Sequence, residues 1–146
     1  MEENFFYCDS CGNLALMLIA SGVTPECCGD EMTCLNAQSA DEGREKHVPV
    51  VSVSADHELT VTVGSTPHPM VANHFIEFVC LQTTDSFVIH QLKAGEEPKA
   101  VLRFSGKPVA VFAYCNIHGL WRADISNMCQ GKTGCTEITK KQDILN

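Results

Sequence analysis

The chain has 146 residues, 45% of them apolar, and a net charge of -8 at pH 7. That length suits one ordinary domain, or a small and a medium one, with a real core, while the acidic balance argues against a nucleic-acid binder, which needs a basic face. The longest apolar run, Leu14 to Ala20, falls far short of the ~20 residues of a membrane span, and the acidic start Met1-Glu2-Glu3 lacks the basic segment of a signal peptide, so a cytoplasmic protein with no membrane partner is expected.

Nine cysteines in such a chain point to metal ligation rather than to a disulfide framework, because a reducing compartment keeps thiols free. Residues 5–35 form a compact cysteine-rich unit with little core, so a metal is expected to fold it. Cys8 and Cys11 make a Cys-x-x-Cys turn, and Cys27 and Cys28 follow as an adjacent pair. Neighbouring side chains on a strand point to opposite faces. Sharing one ion therefore requires a turn at Cys27-Cys28, which Gly29 eases. Four thiolates accept either zinc or iron, and a redox-active dithiol is a third reading. Cys34 reads as buried packing rather than as a fifth ligand.

Residues 36–46 are polar and read as a linker, in which Ser39 and Glu42 fit a capping box around one short helical turn. From Val48 the pattern changes to period two. Leu59, Val61 and Val63 alternate with Glu58, Thr60 and Thr62, which predicts a half-buried strand. Val48 to Ser54 is expected to pair with it across Ala55-Asp56-His57. Further strands are predicted over His74–Gln82, Phe87–Leu92, Val101–Phe104 and Val109–Tyr114, separated by Gly95, Pro98, Gly106 and Pro108. Short strands with turn signals between them predict an all-β chain built on an antiparallel sandwich. Residues 125–146 read as a loosely packed tail, with Cys129 and Cys135 as free thiols in preference to a disulfide or a further metal site. Cys80 reads as a core residue.

A lone histidine is usually a satisfied polar residue, and His57 in a turn and His90 in a strand are read that way. Four others have telling surroundings. His47 sits in Glu45-Lys46-His47-Val48-Pro49. Pro67 and Pro69 stiffen the backbone around His68, and His74 follows six residues later. In Cys115-Asn116-Ile117-His118-Gly119 one tight turn can aim both Cys115 and His118 at one ion. Four histidines and one cysteine exceed the four ligands of tetrahedral zinc. They suit a five-coordinate redox iron with one open position.

Taken in order, Cys8-x-x-Cys11, Cys27-Cys28, Glu45-Lys46-His47-Val48-Pro49, His68-Pro69-Met70, His74 and Cys115-Asn116-Ile117-His118-Gly119 resemble the desulfoferrodoxin family of two-iron superoxide reductases, over about residues 5 to 124. The resemblance implies a desulforedoxin-like metal domain (1–36) holding iron on Cys8, Cys11, Cys27 and Cys28, with zinc as the alternative occupant. An immunoglobulin-like superoxide reductase sandwich (37–126) and a tail of unknown role (127–146) would follow. A second iron would take His47, His68, His74 and His118 in a plane with Cys115 on the axis. The implied activity is one-electron reduction of superoxide to hydrogen peroxide without oxygen release, with electrons from a small carrier such as rubredoxin, in a homodimer. Lys46 would draw superoxide to the open face, and Glu45 would close the sixth position in the ferric state. Backbone N–H groups of Asn116 to His118 are expected to temper the Cys115 sulfur. The four-cysteine iron would either relay electrons or stabilise the fold. The rival readings are a non-catalytic iron electron-transfer protein, which needs no open position, and a zinc-stapled interaction module.

Overall fold

The computed structural model describes residues 4–39 and 46–127. It divides into two compact units, one ending at Ala37 and the other beginning at Gln38. The described residues are strands and turns with no helix, and so with none long and apolar enough to cross a membrane.

In the first unit β1 (Phe5–Tyr7) lies between β2 (Leu14–Leu16) and β5 (Thr33–Cys34), both antiparallel to it, while β3 (Glu26–Cys27) and β4 (Asp30–Glu31) form a separate hairpin. Its buried apolar side chains are few: Phe5, Cys8 and Met32. So small a core leaves the unit in need of a cross-link or an ion. Cys34 lies exposed at the edge of its sheet, which corrects the expectation that it packs inside.

The second unit is an antiparallel sandwich. One sheet orders β10 (Lys99–Arg103), β7 (Glu58–Val63) and β6 (Pro49–Ala55); the other orders β12 (Gly119–Asp124), β11 (Pro108–Cys115), β8 (Ile76–Thr83) and β9 (Phe87–Gln91). This is the three-plus-four division of an immunoglobulin-like sandwich. The alternation in β7 is real: Leu59, Val61 and Val63 are fully buried while Glu58, Thr60 and Thr62 are half-buried. They meet Ile76, Val79, Leu81, Val111, Ala113 and Cys115 of the opposite sheet in one core. The β6–β7 hairpin turns where predicted, at Asp56-His57, with His57 in a left-handed conformation (φ 56°). His57 and His90 take no part in any ligand cluster among the described residues, and Cys80 is fully buried in β8.

Strand ends shift by a residue or two in several places, such as Lys99–Arg103 where Val101–Phe104 was predicted, and two further differences have a clear physical cause. The strand predicted from His74 begins at Ile76, because His74 closes a tight turn by exchanging both backbone hydrogen bonds with Val71 (3.0 and 3.1 Å). The predicted tail begins too early, since Ile125 is 1% exposed in the core and its N–H donates to Val109 O at 2.9 Å. Strand β12 was not predicted at all; it pairs residue for residue with β11 from Cys115↔Gly119 to Ala110↔Asp124. The linker is not wholly free either, because Gln38 bridges Trp121 in parallel. The capping box at Ser39 and Glu42, and Cys129 and Cys135, lie at or beyond the limits of the described residues.

Gly64 sets how the chain enters the sandwich. Its φ is +84°, its N–H donates to Val48 O at 3.1 Å, and a Cβ there would strike the backbone oxygens of Lys46 and Thr66. Gly64→Ala should therefore displace the Lys46–Val48 segment and cost roughly 1–3 kcal/mol. Gly95→Ala, with an equally left-handed φ of +90° but open space around the new Cβ, should cost less. Chemical unfolding of the two variants checks the order.

Candidate metal centres

The first centre grows from two turns. Cys8 N–H donates to Asn13 O (2.9 Å) and Gly12 N–H to Cys8 O (2.8 Å), curling the chain so that Cys8 and Cys11 share one side. The second turn is the two-residue connection Cys28-Gly29 between β3 and β4, with φ of 56° and 86°. Positive φ at both positions marks a primed hairpin turn. A non-glycine residue in that region is strained, and here the strain brings the Cys28 thiol back beside Cys27 instead of across the strand. The four sulfurs lie within 4.8 Å of one another, with Cys11–Cys27 at 3.6 Å and Cys27–Cys28 at 4.0 Å. Tetrahedral ligands at a metal–sulfur length of about 2.3 Å sit ~3.8 Å apart, so the spacing fits a shared ion.

The charge balance of the thiols leads to the same place. Backbone N–H donation from Cys11 draws the Cys8 thiol down to about 7. The neighbouring Cys11 side chain pushes Cys28 up to about 12, and Cys27 is raised by Cys8 and Cys11. Four thiols this close cannot all ionise unless a cation offsets the charge.

The second centre collects ligand atoms from three loops and one strand end. His47 precedes β6, His68 and His74 lie between β7 and β8, Cys115 ends β11, and His118 sits in the β11–β12 turn. One ligand atom from each lies within 4.8 Å of all the others. The four rings close a cycle in the order 47, 68, 74, 118, each pair edge-to-face with centroids 4.7–5.0 Å apart. His47 Nε2 is 3.0 Å from His118 Nδ1, which is 3.6 Å from Cys115 Sγ. Two nitrogens bound to one ion at ~2.1 Å and a right angle would be about 3.0 Å apart.

That distance also suits a hydrogen bond between rings, so other atoms decide. His68 is 2% exposed, and its Nδ1 is 2.7 Å from Pro69 O. A carbonyl only accepts, so Nδ1 carries the proton and Nε2 presents a bare lone pair. His68 Nε2 and His74 Nε2 are both buried without a hydrogen-bond partner. Orphaned buried polar atoms are costly, and a shared cation satisfies both. Burial pushes His68 down to about 4 and also lowers His74, which keeps both rings neutral and able to ligate at neutral pH. The residues present thus fit a bound metal ion at each centre.

All nine cysteines and histidines chosen as ligands from the sequence fall into these two clusters. Lys46 is exposed next to His47, and its charge reaches His74, whose pKa it helps to lower; Glu45 lies outside the described residues. His118 N–H points at Cys115 Sγ at 3.4 Å, in line with the expected sulfur hydrogen bond. The side chains of three neighbours were given no role from the sequence: Gln38, Asn116 and Trp121. Gln38 Nε2 and Trp121 Nε1 both donate to His118 O, at 3.0 and 3.2 Å. The available signal was that Trp121 is the single tryptophan of the chain, three residues beyond a ligand. Gln38 carried none.

Because Cys27 and Cys28 hold their protons in the metal-free cluster, ion binding at the first centre must release them. Affinity there should therefore rise with pH through the neutral range and weaken in acid. Chelator competition between about pH 6 and 8, read by circular dichroism of the first unit, checks this, and metal removal should unfold that unit.

The comparisons with known proteins agree with one another. The family model described as desulfoferrodoxin matches residues 39–124. A desulfoferrodoxin homologue of Archaeoglobus fulgidus is 40% identical over 120 residues, covering 81% of this chain and 94% of that protein. The desulfoferrodoxin of Syntrophotalea carbinolica is 36% identical over 119 residues, 82% of this chain and 94% of its own. Among solved structures, the superoxide reductase from Treponema pallidum is similar with a TM-score of 0.68 and 29% identity, over 85% of this chain and all of that one. With both ligand clusters assembled on the fold of such relatives, the chain belongs to the desulfoferrodoxin family.

Proposed function

We propose that this chain is a superoxide reductase, converting superoxide to hydrogen peroxide with one electron and two protons and releasing no oxygen. The observation that carries the reading is the second cluster: four histidines and a buried cysteine around one point, with His118 exposed to solvent. The similarity to the Treponema pallidum superoxide reductase supports it. His47, His68, His74, Cys115 and His118 would hold iron, and Cys8, Cys11, Cys27 and Cys28 a second iron or a zinc. The iron of the second centre would supply the electron to superoxide.

The protein's own groups prepare that step. The Pro69 carbonyl keeps the proton of His68 on Nδ1 and leaves Nε2 free to ligate. Cys115, fully buried at the end of β11, keeps its sulfur away from water, and the His118 N–H tempers its electron donation. Lys46 would draw the anionic substrate inward against the acidic background, since nearby charge dominates within the ~8–10 Å screening length. Glu45 would offer the iron of the second centre a further ligand, its carboxylate. A small donor such as rubredoxin, a homodimeric assembly and a cytoplasmic setting complete the proposal, resting on the family resemblance. For the first centre both roles, relay and fold support, stay within it.

The test is anaerobic reaction of iron-loaded protein with pulsed superoxide, counting peroxide and oxygen. Stoichiometric peroxide without oxygen, lost in His118→Ala, is the expected result. Oxygen release would mean dismutation, and no reaction despite full iron loading would favour an electron-transfer protein. Lys46→Ala should slow the encounter several-fold at low ionic strength and flatten its salt dependence; an unchanged rate at low salt would remove the steering role.

A further inference from the structure

Four of the five ligands reach the second centre from segments between the strands, His74 and His47 among them. His74 closes the Val71–His74 turn before β8, and His47 lies in the segment that leads into β6. Both lie against the β11–β12 hairpin, and in each case a side chain outside the ligand cluster makes the contact.

On the His74 side that residue is Asn116. Its backbone N–H donates to Phe75 O at 3.2 Å, its Oδ1 accepts from Phe75 N–H at 2.9 Å, and its Nδ2 donates to Asn73 O at 3.1 Å. The amide orientation follows from its partners, since a backbone N–H must face the oxygen and a carbonyl the nitrogen. The residues on both sides of His74 are therefore tied to the loop that carries Cys115 and His118. On the His47 side that residue is Trp121. Its indole lies over the His47 ring, with centroids 4.6 Å apart and 17° between planes, while Nε1–H donates to His118 O at 3.2 Å. One side chain thus touches two of the five ligands.

We infer that Asn116 and Trp121 are positioning residues, Asn116 for His74 and Trp121 for His47, so that one hairpin supplies two ligands and orients two more. The inference rests on the reading of these five residues as metal ligands. Its physical basis is preorganisation: a histidine held in its bound orientation loses less freedom when the ion arrives. Asn116 is exposed, so its hydrogen bonds compete with water and should matter little to global stability. A change in metal affinity on its removal would then not be a by-product of unfolding. Trp121 is 6% exposed, so its replacement needs a milder companion variant.

The test is Co(II) titration of the full chain. The second centre is followed by the absorption of its single thiolate, which is weaker than that of a four-thiolate centre. Asn116→Ala and Trp121→Leu should each weaken binding there by about 10–100-fold, leaving the first centre unchanged. Asn116→Asp, which keeps the acceptor for Phe75 but loses the donor to Asn73, should fall between. So should Trp121→Phe, which keeps an aromatic face but loses the N–H. Double-mutant cycles then separate positioning from general packing. The Asn116→Ala loss should largely vanish in a His74→Ala background and persist in His47→Ala, and Trp121→Leu should behave the opposite way. Equal losses in both backgrounds, or no loss at all, would overturn the inference. Wild-type protein that binds metal normally but leaves superoxide unreduced would overturn the reductase reading alone. A second centre that takes up no Co(II) would overturn both.

Discussion

Crowding five electron-pair donors within 4.8 Å is the constraint around which the second unit is organised. Lone pairs at that spacing repel, and two of the ring nitrogens, on His68 and His74, are shut away from water with no hydrogen-bond partner. Such an arrangement survives only if the surrounding structure over-determines it or an ion satisfies it. The sandwich supplies the first condition. Cys115 is the last residue of a strand whose inner side chains lie in the core, so the sulfur is as fixed as any core atom. His68 is held by its own N–H bond to Val63 O at 3.2 Å, directly beyond the buried end of β7. The cluster is thus anchored at its two driest points, and its more exposed members, His47, His74 and His118, are brought to them by turns.

The same constraint explains which features could be read from the sequence. Alternation in Leu59, Val61 and Val63 was legible because one face of β7 meets core and the other is half-exposed. Membership of the clusters was legible because proline, glycine and cysteine mark the loops that carry His68 and His118. What escaped was structure that depends on long-range pairing. Strand β12 opens with Gly-Leu-Trp-Arg, which has no clean period, and forms because β11 offers it a partner along its length. Ile125 read as the start of a polar tail, yet Val109 on the far side of that hairpin pulls it into the core. His74 read as strand because Phe75 and Ile76 continue it apolar, whereas the tight turn with Val71 is a tertiary outcome. Cys34 misled in the opposite direction, since a residue type that is usually buried sits exposed on a two-residue edge strand. Asn116 was visible within its motif, but its role depends on Asn73 and Phe75, about forty positions away in sequence (|i−j| of 43 and 41).

The two clusters also differ in the charge they would give an ion, and under the proposed function this would decide where an anionic substrate goes. Four thiolates around a divalent or trivalent cation leave the assembly net negative, while one thiolate and four neutral imidazoles leave it net positive. The lowered pKa values of His68 and His74 preserve that difference, because rings that stay neutral at physiological pH ligate instead of carrying protons. In a chain of net charge -8, the second centre with exposed Lys46 beside it would be a local positive focus, and the first would repel superoxide. Division of labour then follows from ligand choice alone: the sulfur-rich centre is suited to holding the small first unit together or passing electrons, and the imidazole-rich centre to meeting the anion. The fold puts Cys115, the cysteine of the second cluster, at its most buried point and leaves His118 and Lys46 exposed, so that under the proposed function a substrate arriving from solvent would meet positive charge before it met sulfur.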